Sequence, residues 1–259
     1  MRESDAPGED HPVYGRRPVL EMLRAHGRHT EEIAILGQGR GPALDELLTL
    51  ARRQGVKISY RTRDQLTALA GTPDHQGVVA RAARAGYASL EDLLAVPGAR
   101  GEVPLFLAVD QVQDPRNLGA ILRSAEATGV HGVVVPKHRS AGLTAAVAKS
   151  STGAVEWVRV AREANLVACL EVFKKQGIWV MGTAPAGGEA PWAVDLTPPV
   201  CLVLGGEGEG LRPLVARVCD RLLTLPMRGR IASVNVAAAA AVLCYEVVRQ
   251  REGPGRGGP

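Results

Sequence analysis

The chain has 259 residues, a formal net charge of +4 and a pI near 9.0. That length buries a sizeable core and leaves room for two domains, one of them small. No apolar run reaches membrane-spanning length, and Cys169, Cys201, Cys219 and Cys244 show neither a CxxC pair nor zinc spacing with the six histidines, which argues against a disulfide scaffold and a metal site.

Residues 1–10 and the Gly/Pro/Arg tail 253–259 are poor in apolar residues and read as disordered tails. The opening stretch lacks the apolar run of a signal peptide, so a cytoplasmic protein with reduced thiols is expected. From Val13 the pattern predicts a helix with Val19, Leu20 and Leu23 inward, a strand at Glu32–Leu36 and a helix at Ala43–Gln54. A strand at Lys57–Tyr60, a short helix at Asp64–Ala70 and a strand at Val78–Ala82 follow. Together, residues 11–82 read as a small αβα-type sandwich. Residues 83–102, with Gly86, Pro97, Gly98 and Gly101, read as a linker containing one short helix near Ser89–Ala95.

The larger unit, 103–252, opens with the fully apolar strand Leu105–Val109. Further strands are expected at Gly132–Val135, Val155–Val158, Trp179–Thr183, Cys201–Leu204 and Leu222–Leu225. Apolar runs without polar alternation indicate a parallel sheet covered on both faces. The closing helix, Asn235–Arg251, carries small residues at Ala237–Ala241, which either lie flush against a sheet or second subunit or simply favour helix. Of the 31 basic residues, 26 are arginine. Arginine suits phosphates and stacks on bases, but codon bias in a GC-rich genome produces the same excess, so charge permits an RNA partner without requiring one.

Three motifs place polar residues at strand-to-loop-to-helix junctions, where an open α/β sheet puts its ligand. The first is Asp114-Pro115-Arg116-Asn117-Leu118-Gly119-Ala120-Ile121-Leu122-Arg123-Ser124-Ala125. Asp114 reads as an N-cap and Pro115 as the first helical residue, with Leu118, Ile121, Leu122 and Ala125 buried and Gly129 ending the helix. Asn117 in the opening turn either satisfies free backbone groups or binds a substrate; Arg123 either pairs with an acid or captures a phosphate. The second motif, Leu202-Val203-Leu204-Gly205-Gly206-Glu207-Gly208-Glu209-Gly210-Leu211-Arg212, brings backbone amides close to a ligand, although its glycine spacing is neither a dinucleotide fingerprint nor a P-loop. Glu207 is either a solvated turn residue or a ligand-facing or loop-bracing carboxylate. The third, Leu225-Pro226-Met227-Arg228-Gly229, runs into Ser233-Val234-Asn235-Val236. Capping of the last helix explains one of Ser233 and Asn235 but not both. Met227 and the backbone around Leu225 are either ordinary packing or an apolar slot suited to an adenine ring.

In this order across residues 105–251, the three motifs closely resemble the SpoU (TrmH-like) branch of the SPOUT RNA methyltransferases. The resemblance implies an α/β catalytic domain with a parallel sheet whose C-terminal segment threads a trefoil knot, an exception to the usual absence of knots. It implies S-adenosylmethionine bound in that knot, with contacts at Gly205, Leu225 and Val234 and with Thr183 and Met227 as neighbours. Asn117, Arg123, Glu207, Ser233 and Asn235 would form the polar set for catalysis and RNA binding. A homodimer is implied as well, because the family builds its active site at the subunit interface. His11-Pro12-Val13-Tyr14-Gly15 and His75-Gln76-Gly77-Val78 make the first domain similar to the family's L30e-like substrate-binding domain. With Val133-Val134-Val135-Pro136-Lys137 and Arg139-Ser140-Ala141, they make the chain similar to the 23S rRNA guanosine-2'-O-methyltransferases and point to rRNA processing. Val234 stands where leucine is usual, and Ala237 where the family often has serine.

Methyl transfer from a sulfonium to a ribose 2'-hydroxyl is an in-line displacement that depends on positioning, and no catalytic metal is called for. Ser233, Asn235 and Asn117 can orient the hydroxyl. Arg123 is expected to hold an RNA phosphate, with direct proton abstraction by it as the alternative that the high guanidinium pKa opposes. A tRNA or different rRNA target, and a noncatalytic RNA-binding or ribosome-assembly protein on the same fold, are the alternatives.

Overall fold

The computed structural model describes residues 12–26, 30–37, 41–82, 86–206, 210–231 and 233–253. In chain order its first elements are β1 (Val13–Tyr14), α1 (Arg16–His26), β2 (Thr30–Leu36), α2 (Pro42–Arg53), β3 (Lys57–Arg61), α3 (Arg63–Ala70) and β4 (Val78–Ala82). Then come α4 (Leu90–Arg100), β5 (Leu105–Asp110), α5 (Pro115–Ala127), β6 (Gly132–Pro136), α6 (Ala145–Ser150), β7 (Val160–Glu163) and α7 (Leu166–Lys175). The chain closes with β8 (Trp179–Thr183), β9 (Val200–Gly205), α8 (Pro213–Val218), β10 (Arg221–Leu223) and α9 (Val236–Glu252). They form two compact units, one drawn from Met1–Gly86 and Leu143–Trp157 and the other from Tyr87–Gly142 and Val158–Pro259.

In the first unit a four-stranded sheet runs in the order β1-β4-β2-β3, with only the β2–β3 pair parallel. Side-chain alternation along β2 sends Ile33 and Ile35 into the main core with Val19 and Leu23 of α1 and Leu47 of α2. Ala34 points to the opposite side, beneath Leu66 of α3. Thr62 and Gln65 cap α3 reciprocally, and Gly71 ends it in the left-handed region. Val13 and Tyr14, expected to begin a helix, instead form an edge strand on β4, and the helix starts only after Gly15 turns the chain at φ +97.

The segment Leu143–Trp157, read from sequence as part of the larger unit, packs with this first one. The Lys149 ammonium lies 3.0 Å from the Asp74 carboxylate, and the Trp157 indole N–H donates to Glu21 at 3.0 Å. The strand expected at Val155–Val158 is absent: Ala154–Glu156 form a single 3-10 turn, and β7 begins at Val160. Gly153, at φ +88, leads into that turn, where the Glu156 and Trp157 N–H groups donate to the Gly153 and Ala154 carbonyls, each at 3.0 Å.

The second unit holds a six-stranded sheet in the order β10-β8-β9-β5-β6-β7, with every pair parallel. β5 and β9 lie at its centre and are buried throughout, as their apolar sequences require, with Asp110 at the end of β5 the one charged residue. On one face Phe106 meets Phe173 of α7 with ring centroids 5.0 Å apart. Much of the expected linker is α4: Ser89 and Asp92 form its capping box, and Leu93 is fully buried in the core of this unit. α5 packs along α9, with Leu118, Ile121, Leu122 and Ala125 inward and Asp114 as its cap. β10 stops at Leu223, so Leu225 lies beyond the strand in which it was expected. Because all strands run the same way, the loops after β5, β6, β8, β9 and β10 gather at one edge of the sheet. No described helix is long and apolar enough to cross a membrane.

Candidate functional site

The end of β5 organises that edge. Asp110 is fully buried, and its carboxylate accepts the Arg212 backbone N–H at 2.9 Å and the Arg212 Nε at 2.8 Å, with Nη2 at 2.7 Å. A buried carboxylate needs such partners, because leaving its charge unpaired costs several kcal/mol, of the order of 3–5. The pair draws the chain after β9 back towards β5. Gly205 permits that return: a Cβ there would lie 2.2 Å from the Gly210 carbonyl carbon, backbone against backbone. At Gly206 a Cβ would lie 2.7 Å from the Gln111 carbonyl oxygen. Gly210 closes the turn by donating its N–H to the Gly206 carbonyl at 3.2 Å. Glu207 lies outside the described residues.

The returning loop forms one wall of a cavity of about 490 Å³, a size suited to a small organic ligand. Thr183, Gly205, Leu225, Met227 and Val234, the residues nominated for the cofactor, all line it, and so do Ser233 and Asn235. The Thr183 hydroxyl accepts the Gly205 N–H at 3.2 Å, tying β8 to β9 at the cavity floor. Apolar walls come from Leu204, Leu223, Val236 and Leu243. The cavity therefore combines an apolar slot, glycine-exposed backbone and a few hydroxyl and amide groups. That donor set fits a nucleoside carrying a polar amino-acid arm, as S-adenosylmethionine does.

Asn235 lines the cavity, and its side-chain amide donates to the Asn117 Oδ1 at 2.9 Å. The Asn235 Oδ1 meanwhile accepts the Ala237 N–H at 2.9 Å and the Ala238 N–H at 3.4 Å, so Asn235 is the cap of α9 and Ser233 is not. Asp114, not Asn117, caps α5. Asn117 is thus joined to the third motif across 118 positions of sequence. Arg123 is exposed on α5 and forms no ion pair with a described residue, which removes the salt-bridge reading of that side chain among those residues. Sequence reasoning missed Asp110 and Arg212. The available signal was a lone acid ending an apolar strand, without any indication of its partner.

A model of the SpoU rRNA Methylase family matches residues 104–245, and one described as RNA 2'-O ribose methyltransferase substrate binding matches residues 12–88. The chain is 42% identical over 243 residues to a putative TrmH family tRNA/rRNA methyltransferase, YacO, of Bacillus subtilis, covering 92% of this chain and 95% of that one. It is 40% identical over 240 residues to the 23S rRNA (guanosine-2'-O-)-methyltransferase RlmB of Ralstonia nicotianae, with 92% and 95% covered. Among solved structures it resembles the SpoU methyltransferase AviRb from Streptomyces viridochromogenes in complex with AdoMet, with a TM-score of 0.76, 28% identity and 93% and 90% of the two chains covered. On the family match and these relatives, this chain belongs to the SpoU rRNA methylase family.

Proposed function

We propose that this chain methylates the 2'-hydroxyl of a guanosine ribose in 23S rRNA, with S-adenosylmethionine as donor. The observation that carries the reading is the cavity lined by Asn235, whose side-chain amide is hydrogen-bonded to Asn117. Thr183, Gly205, Leu225, Met227 and Val234 would hold S-adenosylmethionine, which supplies an already activated methyl on its sulfonium when bound. Asn235 is rigid because its Oδ1 is committed to capping α9, and this fixes the amide that meets Asn117. Ser233 is exposed beside it. Together, Asn117, Ser233 and Asn235 orient the ribose hydroxyl, and the exposed Arg123 guanidinium takes a neighbouring phosphate. Glu207 belongs to the same polar set in this reading.

The first unit serves as an L30e-like RNA-binding domain, and the enzyme acts in the cytoplasm as a homodimer. Exposed Val242 and Tyr245 on α9 support coverage by a second copy. A trefoil knot in the C-terminal segment is supported by β9 lying between β8 and β5 and by the close passage of the Gly206 backbone by the Gln111 carbonyl. The test is transfer of labelled methyl to 23S rRNA, 16S rRNA and bulk tRNA, with the modified position mapped. A single 2'-O-methylguanosine in 23S rRNA is expected, falling about a hundredfold in rate in Asn117→Ala, which breaks the amide pair without touching the α9 cap. Binding of all three RNAs without transfer would favour a noncatalytic role, and methylation confined to tRNA would move the target.

A further inference from the structure

Two non-glycine residues at the C-terminal edge of the parallel sheet take left-handed backbone: Gln111 after β5, at φ +63, and Arg139 after β6, at φ +56. Glycine adopts that conformation freely, whereas arginine does so at a cost, so a side chain retained there calls for a reason. The backbone around Arg139 is held from both sides. Lys137 donates its N–H to the Glu163 carbonyl at 2.8 Å, and its own carbonyl accepts from Arg162 Nη2 at 3.1 Å. Beyond Arg139, the Ala141 N–H and the Ser140 hydroxyl both donate to the Val112 carbonyl, at 2.8 and 3.2 Å. Val112 belongs to the turn that leads into Asp114, the cap of the helix carrying Asn117. The loop is therefore fastened to the segment that positions the amide pair.

Its side chains point the other way. Lys137 and Arg139 are exposed, and neither forms an ion pair with a described residue. A fixed loop presenting uncompensated cations beside a methyl-transfer site suits a polyanion, and a guanidinium fork suits one phosphate in particular. We propose that Arg139 grips an RNA backbone phosphate flanking the target ribose, as a second anchor beside Arg123. This inference rests on the reading of the site as an RNA methyltransferase. It assigns the loop after β6 to substrate positioning and leaves the methyl-donor cavity to the loops after β8, β9 and β10.

Arg139→Gly separates this role from a structural one, because glycine relieves the backbone cost while removing the charge. The full chain and its Arg139→Gly and Arg139→Lys variants would be compared for binding to transcribed 23S rRNA across a salt series, for kcat and KM, for melting temperature and for S-adenosylmethionine affinity. Arg139→Gly should bind the RNA on the order of tenfold more weakly at low salt, with a salt slope shallower by about 0.7–1. Its KM for RNA should rise more than its kcat falls, while its melting temperature holds or rises and donor affinity stays the same. Arg139→Lys should restore most of the salt slope. An Arg139→Gly variant with unchanged RNA affinity and slope overturns the proposal, as does one whose defect is lost donor binding or a lower melting temperature. If the unsubstituted chain neither binds nor methylates RNA, the underlying reading fails first and takes this inference with it.

Discussion

Burial raises the Glu156 carboxyl from its ordinary 4.5 to about 7, since the side chain sits in the tight turn Ala154–Glu156 with little access to water. The folded state therefore holds this proton more tightly than the unfolded chain between those values. Stability from the group is fully present below pH 4.5 and is lost as pH rises through 7. The span corresponds to a loss of about 3 kcal/mol at most. Glu156→Gln removes the titration while keeping the shape. Urea unfolding should show the variant close to its parent at pH 4.5 and more stable by up to about 3 kcal/mol at pH 8; a difference independent of pH would contradict the burial argument. Asn235 illustrates the opposite situation, a polar residue whose place was open in the sequence and is settled by structure. Capping required either Ser233 or Asn235, and the Asn235 Oδ1 takes the Ala237 and Ala238 N–H groups, while its amide reaches Asn117, 118 positions away.

The loops after β5 and β9 show how an element's end is decided by what crosses it. At Gly205 a methyl would meet the Gly210 backbone, which no side-chain rearrangement relieves, whereas one at Gly229 would meet nothing within 4 Å. Gly205→Ala should therefore destabilise the protein by roughly 2 kcal/mol or more and weaken S-adenosylmethionine binding at least tenfold, while Gly229→Ala stays within about 1 kcal/mol of the parent. Denaturant midpoints and titration calorimetry would check both, and similar effects at the two positions would count against the crossing as the cause. The glycines were visible in the sequence, but the approach of Gly206 to Gln111 was not. The central strands were legible because a strand buried on both faces must be continuously apolar. At Val155–Val158 the apolar residues around Glu156 misled, since a short, largely apolar stretch also suits a buried turn. At Pro97 and Gly98 breaker residues suggested a linker, yet burial of Leu93 and Val96 and the Ser89 cap carry α4 through them. The cavity lining was foreseen through motif resemblance, while the Asp110–Arg212 tie, spanning 102 positions, leaves no local trace.

At the scale of the whole molecule, the division into two units makes the thiols a selective reporter. Cys169, Cys201, Cys219 and Cys244 all belong to the second unit, the same one that supplies the entire cavity lining. Burial pushes the thiols of Cys169, Cys219 and Cys244 up to about 12 and that of Cys201 well above its ordinary value. At pH 8 almost no thiolate is present in the folded unit, so alkylation must wait for the structure to open. A ligand that fills the cavity stabilises the closed form through mass action, by about 2.7 kcal/mol at a hundredfold excess over its dissociation constant. S-adenosylmethionine at that excess should slow alkylation of Cys201 on β9 and Cys244 on α9 by about a hundredfold, because both elements contribute cavity walls. Mass spectrometry of each cysteine against time would measure it. Equal labelling with and without the donor would mean either that the donor binds elsewhere or that these thiols react through openings that leave the cavity intact. Adding Gly205→Ala distinguishes the two, because only in the second case does that variant still lose donor affinity.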